Sequence, residues 1–151
     1  MDRADVRVLP PVILLGALAL GLVSRAVLPG ARLPRRGWRW LGLASIALAV
    51  ALVASAVREM RRARTSLDVR KPTGALVSGG AFGVSRNPIY LSMVLLYLGV
   101  SLLLDSLPMV LLAGPLGTVL YRAAIEPEER YLEEKFGATY RSYKATVRRW
   151  I

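Results

Sequence analysis

Ile89-Tyr90-Leu91-Ser92-Met93-Val94-Leu95-Leu96-Tyr97-Leu98-Gly99-Val100-Ser101-Leu102-Leu103-Leu104 is followed by Asp105-Ser106 and then by a second apolar run from Leu107 to about Ile125. Two runs of this length around a two-residue polar break predict an antiparallel helical hairpin, because the connection is too short for anything else. Pro115, flanked by Gly114 and Gly117, predicts a kink in the second arm. Toward the N-terminus lie two more apolar segments, Val8 to Leu28 and Trp40 to Val57. Each is long enough to cross a hydrocarbon core roughly 30 Å thick at about 1.5 Å per residue. Arg25 sits where it can snorkel, and Trp38 and Trp40 sit at an interfacial level. The reading is an all-α integral membrane protein of about four transmembrane helices with a cytosolic C-terminal helical segment.

Composition supports the same class. Of 151 residues, 54% are hydrophobic, yet the formal net charge is +11. A water-soluble domain with such runs would expose large apolar patches. The arginines gather at the ends of the apolar runs, which favours anionic lipid headgroups over nucleic acid as their partner. The chain has no Cys and no His, which excludes disulfides, thiolate or imidazole metal ligation, Cys nucleophiles and Ser-His-Asp triads. The first apolar stretch is longer than a signal-peptide core and lacks a clean small-x-small cleavage site, so it is read as a retained span.

Basic residues orient the spans. Arg58, Arg61, Arg62, Arg64, Arg70, Lys71 and Arg86 fall in one loop, and Arg122, Arg130, Lys135, Arg141, Lys144, Arg148 and Arg149 in the tail. With four spans both regions share a side with Arg3 and Arg7, so both termini are expected in the cytoplasm. Arg32, Arg35, Arg36 and Arg39 on the other side oppose this without outnumbering it. The domain then divides into two N-terminal spans (1–60), a cytosolic Gly-rich loop (61–87), the hairpin (88–125) and cytosolic helices (126–151). Within the last, Gly137 suits a C-cap. Tyr140, Tyr143, Val147 and Trp150 form a stripe on a short helix from Ala138 to Trp150. Arg61 to Thr73 reads as locally mobile. Gly16, Ala17, Gly21, Gly42, Ala44 and Ala47 permit close helix contact.

Flanking the hairpin are motifs that a generic membrane helix does not need. Leu76-Val77-Ser78-Gly79-Gly80-Ala81-Phe82 leads into Ser85-Arg86-Asn87-Pro88-Ile89-Tyr90, and Glu126-Pro127-Glu128-Glu129-Arg130-Tyr131-Leu132 follows the hairpin, with Phe136-Gly137 beyond. Together, over the C-terminal half, they resemble the isoprenylcysteine carboxyl methyltransferase family and its phospholipid methyltransferase relatives. These are small integral-membrane enzymes that use S-adenosylmethionine. The resemblance implies a cofactor site formed by Gly74, Ala75, Leu76 and Val77 with Phe82, by Asn87, Pro88, Ile89 and Tyr90, and by Glu128. Asn87 stands where many members have His. Ala124 stands four positions before the cofactor Glu, where prenylcysteine-specific members have Arg.

Read singly, these residues have ordinary explanations. Pro88 and Asn87 suit a helix start, Glu128 and Glu129 a first-turn dipole interaction, and the glycines a connecting turn. Arg86 and Arg122 are headgroup anchors or contacts to an acidic substrate group, and Arg122 is expected to face the pocket. No G-x-G-x-x-G follows a strand, so a Rossmann-type site is not indicated. Methyl transfer from a sulfonium chiefly needs two reactants held in line with water excluded, which a His-free, Cys-free chain can supply. The expected partners are membrane lipids and a lipophilic or lipidated acceptor, carboxylate or amine, without nucleic acid. Two other classes remain open: a membrane reductase of similar architecture using NADPH, and a small four-helix transporter. The transporter reading lacks an acidic residue well inside a span, since Asp105 is at a turn and Glu59 at an edge.

Overall fold

The computed structural model describes residues 8–33, 37–66 and 73–151. Their regular elements are helical: α1 (Pro10–Val27), α2 (Trp38–Arg62), α3 (Pro88–Leu103), α4 (Leu107–Leu120) and α5 (Glu126–Thr146). A 3-10 turn at Gly80–Gly83 precedes α3, and a π-turn at Tyr121–Ile125 joins α4 to α5. Prolines stand in the first two positions of α1, α3 and α4, where the missing N–H is one the helix would not have used. Among the described residues, three helices are long and apolar enough to cross a membrane: α1, α2, and α4 with its continuation. The fourth, α3, has 16 residues, about 24 Å at helical rise and a little short of the hydrocarbon core. It is the inner helix. Tyr90, Leu91, Ser92, Tyr97, Gly99 and Ser101 are buried along it, and it packs against α1, α2 and α4.

Small residues let α3 sit inside. A Cβ on Gly99 would lie 2.5 Å from Ile46 Cγ1 and 2.8 Å from the Gly42 carbonyl, and one on Gly42 would lie 2.9 Å from the Gly99 carbonyl. At that crossing α2 and α3 touch backbone to backbone, and Ser45 Oγ donates to the Leu95 carbonyl at 2.7 Å. Gly21 meets Tyr97 and Met109 in the same close way, and Ala17 packs on the core. Of the other small residues expected at contacts, Gly16, Ala44 and Ala47 are exposed. Composition shows that a helix can approach closely but not on which face.

Helix α2 runs five residues past its apolar stretch, where Arg62 and Glu59 pair at 2.9 Å. Hydropathy ends there, but helix propensity does not. The hairpin turns at Asp105 with φ 55°, a left-handed conformation Asp tolerates. The long rod from α4 departs from α geometry at the π-turn, where the Glu126 N–H reaches back five residues to the Tyr121 carbonyl. Pro127 has no N–H to donate, which removes one i→i−4 bond at this point. Gly137 has φ 51° and breaks α5 into two helices. The second half ends at Thr146 rather than Trp150, because Val147 turns extended and sends the tail back toward α3. Of the segment Arg61 to Thr73, expected to be mobile, Arg61 and Arg62 belong to α2 and residues 67–72 lie outside the described residues. So do Arg3, Arg7, Arg35, Arg36, Arg70 and Lys71 from the orientation argument.

The glycine crossing yields an asymmetric expectation. Gly99→Ala forces a methyl against the Gly42 backbone and should destabilise the bundle by about 1–3 kcal/mol. Gly16→Ala meets nothing within 4 Å and should be neutral or stabilising by up to about 1 kcal/mol. Thermal unfolding in detergent checks this; equal effects at the two positions would contradict the crossing.

Candidate active site

The C-terminal tail folds back across the start of α3 and fixes it. The Arg86 N–H donates to the Arg148 carbonyl at 3.0 Å, and Ser85 Oγ donates to the Arg149 carbonyl at 3.1 Å. Asn87 uses its side-chain Nδ2 twice, toward the Arg149 carbonyl (3.3 Å) and toward Glu129 Oε1 (3.2 Å). The Arg149 guanidinium grips the same carboxylate, with Nη2 to Oε2 at 2.8 Å and Nε to Oε1 at 3.1 Å, and it lies over the Tyr121 ring. The Glu129 side chain is only 7% exposed. Burial by itself would raise its pKa, but Arg149, Arg86 and Asn87 outweigh burial and hold it below the usual carboxylate range.

Beside this clamp lies a cavity of about 440 Å³, within the size range of small-molecule sites. Three places supply the wall residues that the motifs marked. The loop contributes Ala75, Leu76, Val77 and Phe82; the start of α3 contributes Arg86, Asn87, Pro88, Ile89 and Tyr90; α5 contributes Glu128. Tyr90 Oη donates to Glu128 Oε2 at 2.6 Å and fixes that carboxylate. Burial raises Glu128 above the usual range, the Tyr90 bond opposes this, and the neighbouring Glu129 charge adds to it. Tyr143 Oη donates to the Phe82 carbonyl at 2.6 Å and ties the loop to α5. Burial is the main cause that pushes the Tyr143 phenol up to about 12. The loop is held from the other side by α2, where Ser55 Oγ accepts from the Ala81 N–H at 3.1 Å. Gly80 fits there because its φ is 57° and a Cβ would lie 2.8 Å from Glu59 Cγ.

Three residues singled out in the sequence lie elsewhere. Gly74 is not in the cavity wall; its N–H donates to Thr65 Oγ1 at 3.0 Å and anchors the loop beside α2. Arg122 does not face this cavity. Its side chain is 70% exposed, 3.6 Å from Glu126, and it lines a separate groove. Six residues separate it from Glu128, so the two point different ways on a helix of 3.6 residues per turn, and the intervening π-turn shifts the phase again. Ala124 is fully buried in the core, a position with no room for a longer side chain.

Other walls were not legible in the motifs. Leu9, Pro10 and Pro11 close one side from α1, and Leu132, Tyr140 and Tyr143 close another from α5. Tyr140 and Tyr143 carried a visible signal in their three-residue spacing, a stripe that suits either the membrane interface or the preceding loop and does not by itself mark a cavity wall. One feature bears directly on what the cavity accepts: Arg86 Nε and Nη1 are buried without a hydrogen-bond partner. Arg86 Nη1 stands 3.6 Å from Glu129, a charge pair too long to be a hydrogen bond. The cavity thus has a guanidinium, Arg86, and a carboxylate, Glu128, among otherwise largely apolar walls. No group of His, Cys, Asp and Glu suited to a metal occurs among the described residues.

Residues 38–139 match the model of a family described as phospholipid methyltransferase. The chain belongs to that family, which bears out the resemblance read from its motifs. A protein of Haemophilus influenzae named only as uncharacterized is 54% identical over 33 residues, 22% of this chain and 52% of that protein. The chain therefore spans about half the length of that relative. No solved structure matches.

The adjacent carboxylates should respond oppositely to neutralisation. Glu129→Gln removes one partner of a buried pair and should cost about 3 kcal/mol, toward the low end for such pairs because Arg149 remains 35% exposed. Glu128→Gln removes a charge that burial disfavours and should leave stability at pH 7 unchanged or higher. The Glu129 contribution is present above its ordinary value of about 4.3 and lost as pH falls through the lowered folded value. Thermal unfolding from pH 7 to pH 3 checks both signs. Equal losses for the two variants would dissolve the distinction.

Proposed function

We propose that this chain is an S-adenosylmethionine-dependent methyltransferase acting on a lipophilic acceptor taken from the bilayer, with the cavity beside Glu128 as its cofactor site. The observation that carries the reading is the pairing of Arg86 and Glu128 in one apolar cavity, within a chain that belongs to the phospholipid methyltransferase family. When bound, the cofactor supplies an electrophilic methyl group on a sulfonium. Its amino-acid end carries one carboxylate and one ammonium. Arg86 supplies the cation that suits the first, and Glu128 the carboxylate that suits the second.

Each remaining wall has a role in this reading. Phe82, Leu76 and Val77 cover the adenosine end, and Ile89 with Pro88 closes the side toward the bundle. Apolar walls exclude water, which would otherwise compete for the methyl group. Tyr90 holds Glu128 in place rather than reacting itself, so proximity and orientation provide most of the acceleration. A carboxylate acceptor needs no base, whereas an amine acceptor has to lose a proton. With Ala124 in place of an arginine, a free prenylcysteine carboxylate lacks a partner there, and a membrane-lipid acceptor is favoured. We place the cavity, and both termini, on the cytoplasmic side from the basic excess of the second loop and tail. A cysteine at exposed Thr139 that reacts only from the opposite face would reverse this orientation.

Binding and transfer test the proposal together. S-adenosylhomocysteine should bind the wild-type protein and NADPH should not. Glu128→Gln should weaken S-adenosylhomocysteine binding about ten- to a hundredfold, as expected for losing a charge-assisted hydrogen bond. Radiolabelled methyl groups should enter a total membrane lipid extract in preference to a prenylcysteine analogue. NADPH binding in place of S-adenosylhomocysteine would transfer the chain to the reductase class. Unchanged affinity in a folded Glu128→Gln protein would move the cofactor elsewhere.

A further inference from the structure

A second groove, of about 530 Å³, lies between α3, α4 and the C-terminal tail. It shares no lining residue with the cavity beside Glu128. Its floor is Ala113, Gly114, Gly117 and Thr118 of α4 with Leu91 and Val94 of α3, and its mouth is Arg122, Arg149 and Trp150. Packing does not require the glycines to be small, because a Cβ on Gly114 or Gly117 would meet nothing within 4 Å. From Ala113 to Tyr121 the floor extends about 12 Å along the helix. That matches one leaflet, about half of a hydrocarbon core roughly 30 Å thick.

The mouth carries net positive charge after its ion pairs are counted. Arg122 and Arg130 share one carboxylate, Glu126, at 3.6 and 2.8 Å. Arg149 and Arg86 likewise share Glu129. Arg149 is matched at the mouth by Glu129, Arg86 belonging to the other cavity, so the excess positive charge comes from Arg122 and Arg130, whose side chains are 70% and 73% exposed. Trp150, partly buried against the core, lines the same groove, and tryptophan favours a membrane interface. An apolar trough one leaflet deep that ends at exposed guanidiniums complements a molecule with an acyl chain and a phosphate at its end.

We propose that this groove binds an anionic phospholipid of the leaflet on the tail's side, with an acyl chain along Gly114 and Gly117 and the phosphate at Arg122. This lipid is a resident ligand and not the methyl acceptor. The buried Glu129–Arg149–Asn87 cluster and the body of α3 stand between the groove and Glu128. The tail that forms one wall of the groove is the same tail that clamps α3, so lipid and clamp share Arg149. The inference does not rest on the methyltransferase reading.

The full-length protein, purified in mild detergent, is titrated with phosphatidylglycerol and with phosphatidylcholine, and bound lipid is read by native mass spectrometry. The wild type should bind phosphatidylglycerol in preference. Arg122→Gln should reduce that preference about fivefold, the amount associated with one surface cation. Gly117→Leu, which fills the trough without a clash, should abolish binding of both lipids while leaving the unfolding temperature in place. No preference for phosphatidylglycerol in the wild type, or undiminished binding in Gly117→Leu, would overturn the proposal. If Gly117→Leu instead changed the mass of the oligomer with lipid binding intact, the groove would be a face between copies of the chain. Should Gly117→Leu fail to fold, the exposed Arg122→Gln variant still decides the phosphate contact.

Discussion

A carboxylate with almost no access to solvent, Glu129, holds together three parts of the chain that sequence order keeps far apart. Isolated, such a charge would be costly to bury. Here it accepts hydrogen bonds from Arg149 in the tail and Asn87 at the start of α3, and Arg86 adds a third positive or polar neighbour. The tail carbonyls complete the arrangement by accepting from Ser85, Arg86 and Asn87. Without this cluster the first turn of α3 would lack its support from the tail, and one wall of the main cavity would be free to move.

Helical geometry gives Glu128 and Glu129 different fates. Consecutive residues on an α-helix point about 100° apart, so Glu129 turns into the clamp while its neighbour faces the cavity and Tyr90. One carboxylate is satisfied by cations and stabilises the fold. The other is desolvated by burial, disfavoured as an ion and held by Tyr90 in the cavity wall. Perturbation of this kind in a concave site is the physical mark of a functional group. The π-turn contributes as well, since it sets the phase of everything after Ile125 and so decides which residue of the Glu pair reaches the cavity.

Much of this was legible in the chain because membrane spans and helix starts depend on local rules. Apolar length, proline position and the two-residue turn placed α1 to α4, and the ordered motifs from Ala75 to Glu128 marked nine residues that now line one cavity. What was not legible depends on tertiary phase and on long-range pairing. Arg122 was assigned to the cavity by its distance in sequence from Glu128, but helical phase turns it to another groove. Arg149 was counted as a topological charge, because nothing local reveals that it returns to Glu129. The faces of Gly16, Ala44 and Ala47 were equally hidden, since smallness alone does not tell which side meets a neighbour.

The central claim is that the clamp shapes a cofactor cavity bounded by Phe82, Tyr90 and Glu128. Photo-crosslinking of radiolabelled S-adenosylmethionine to the membrane-embedded protein, followed by peptide mapping, tests it most directly. The account predicts label in the segment from Ala75 to Tyr90 or in that around Glu128, and competition by S-adenosylhomocysteine. Label confined to Tyr121, Arg122 and Trp150, or label that excess S-adenosylhomocysteine does not displace, would contradict it.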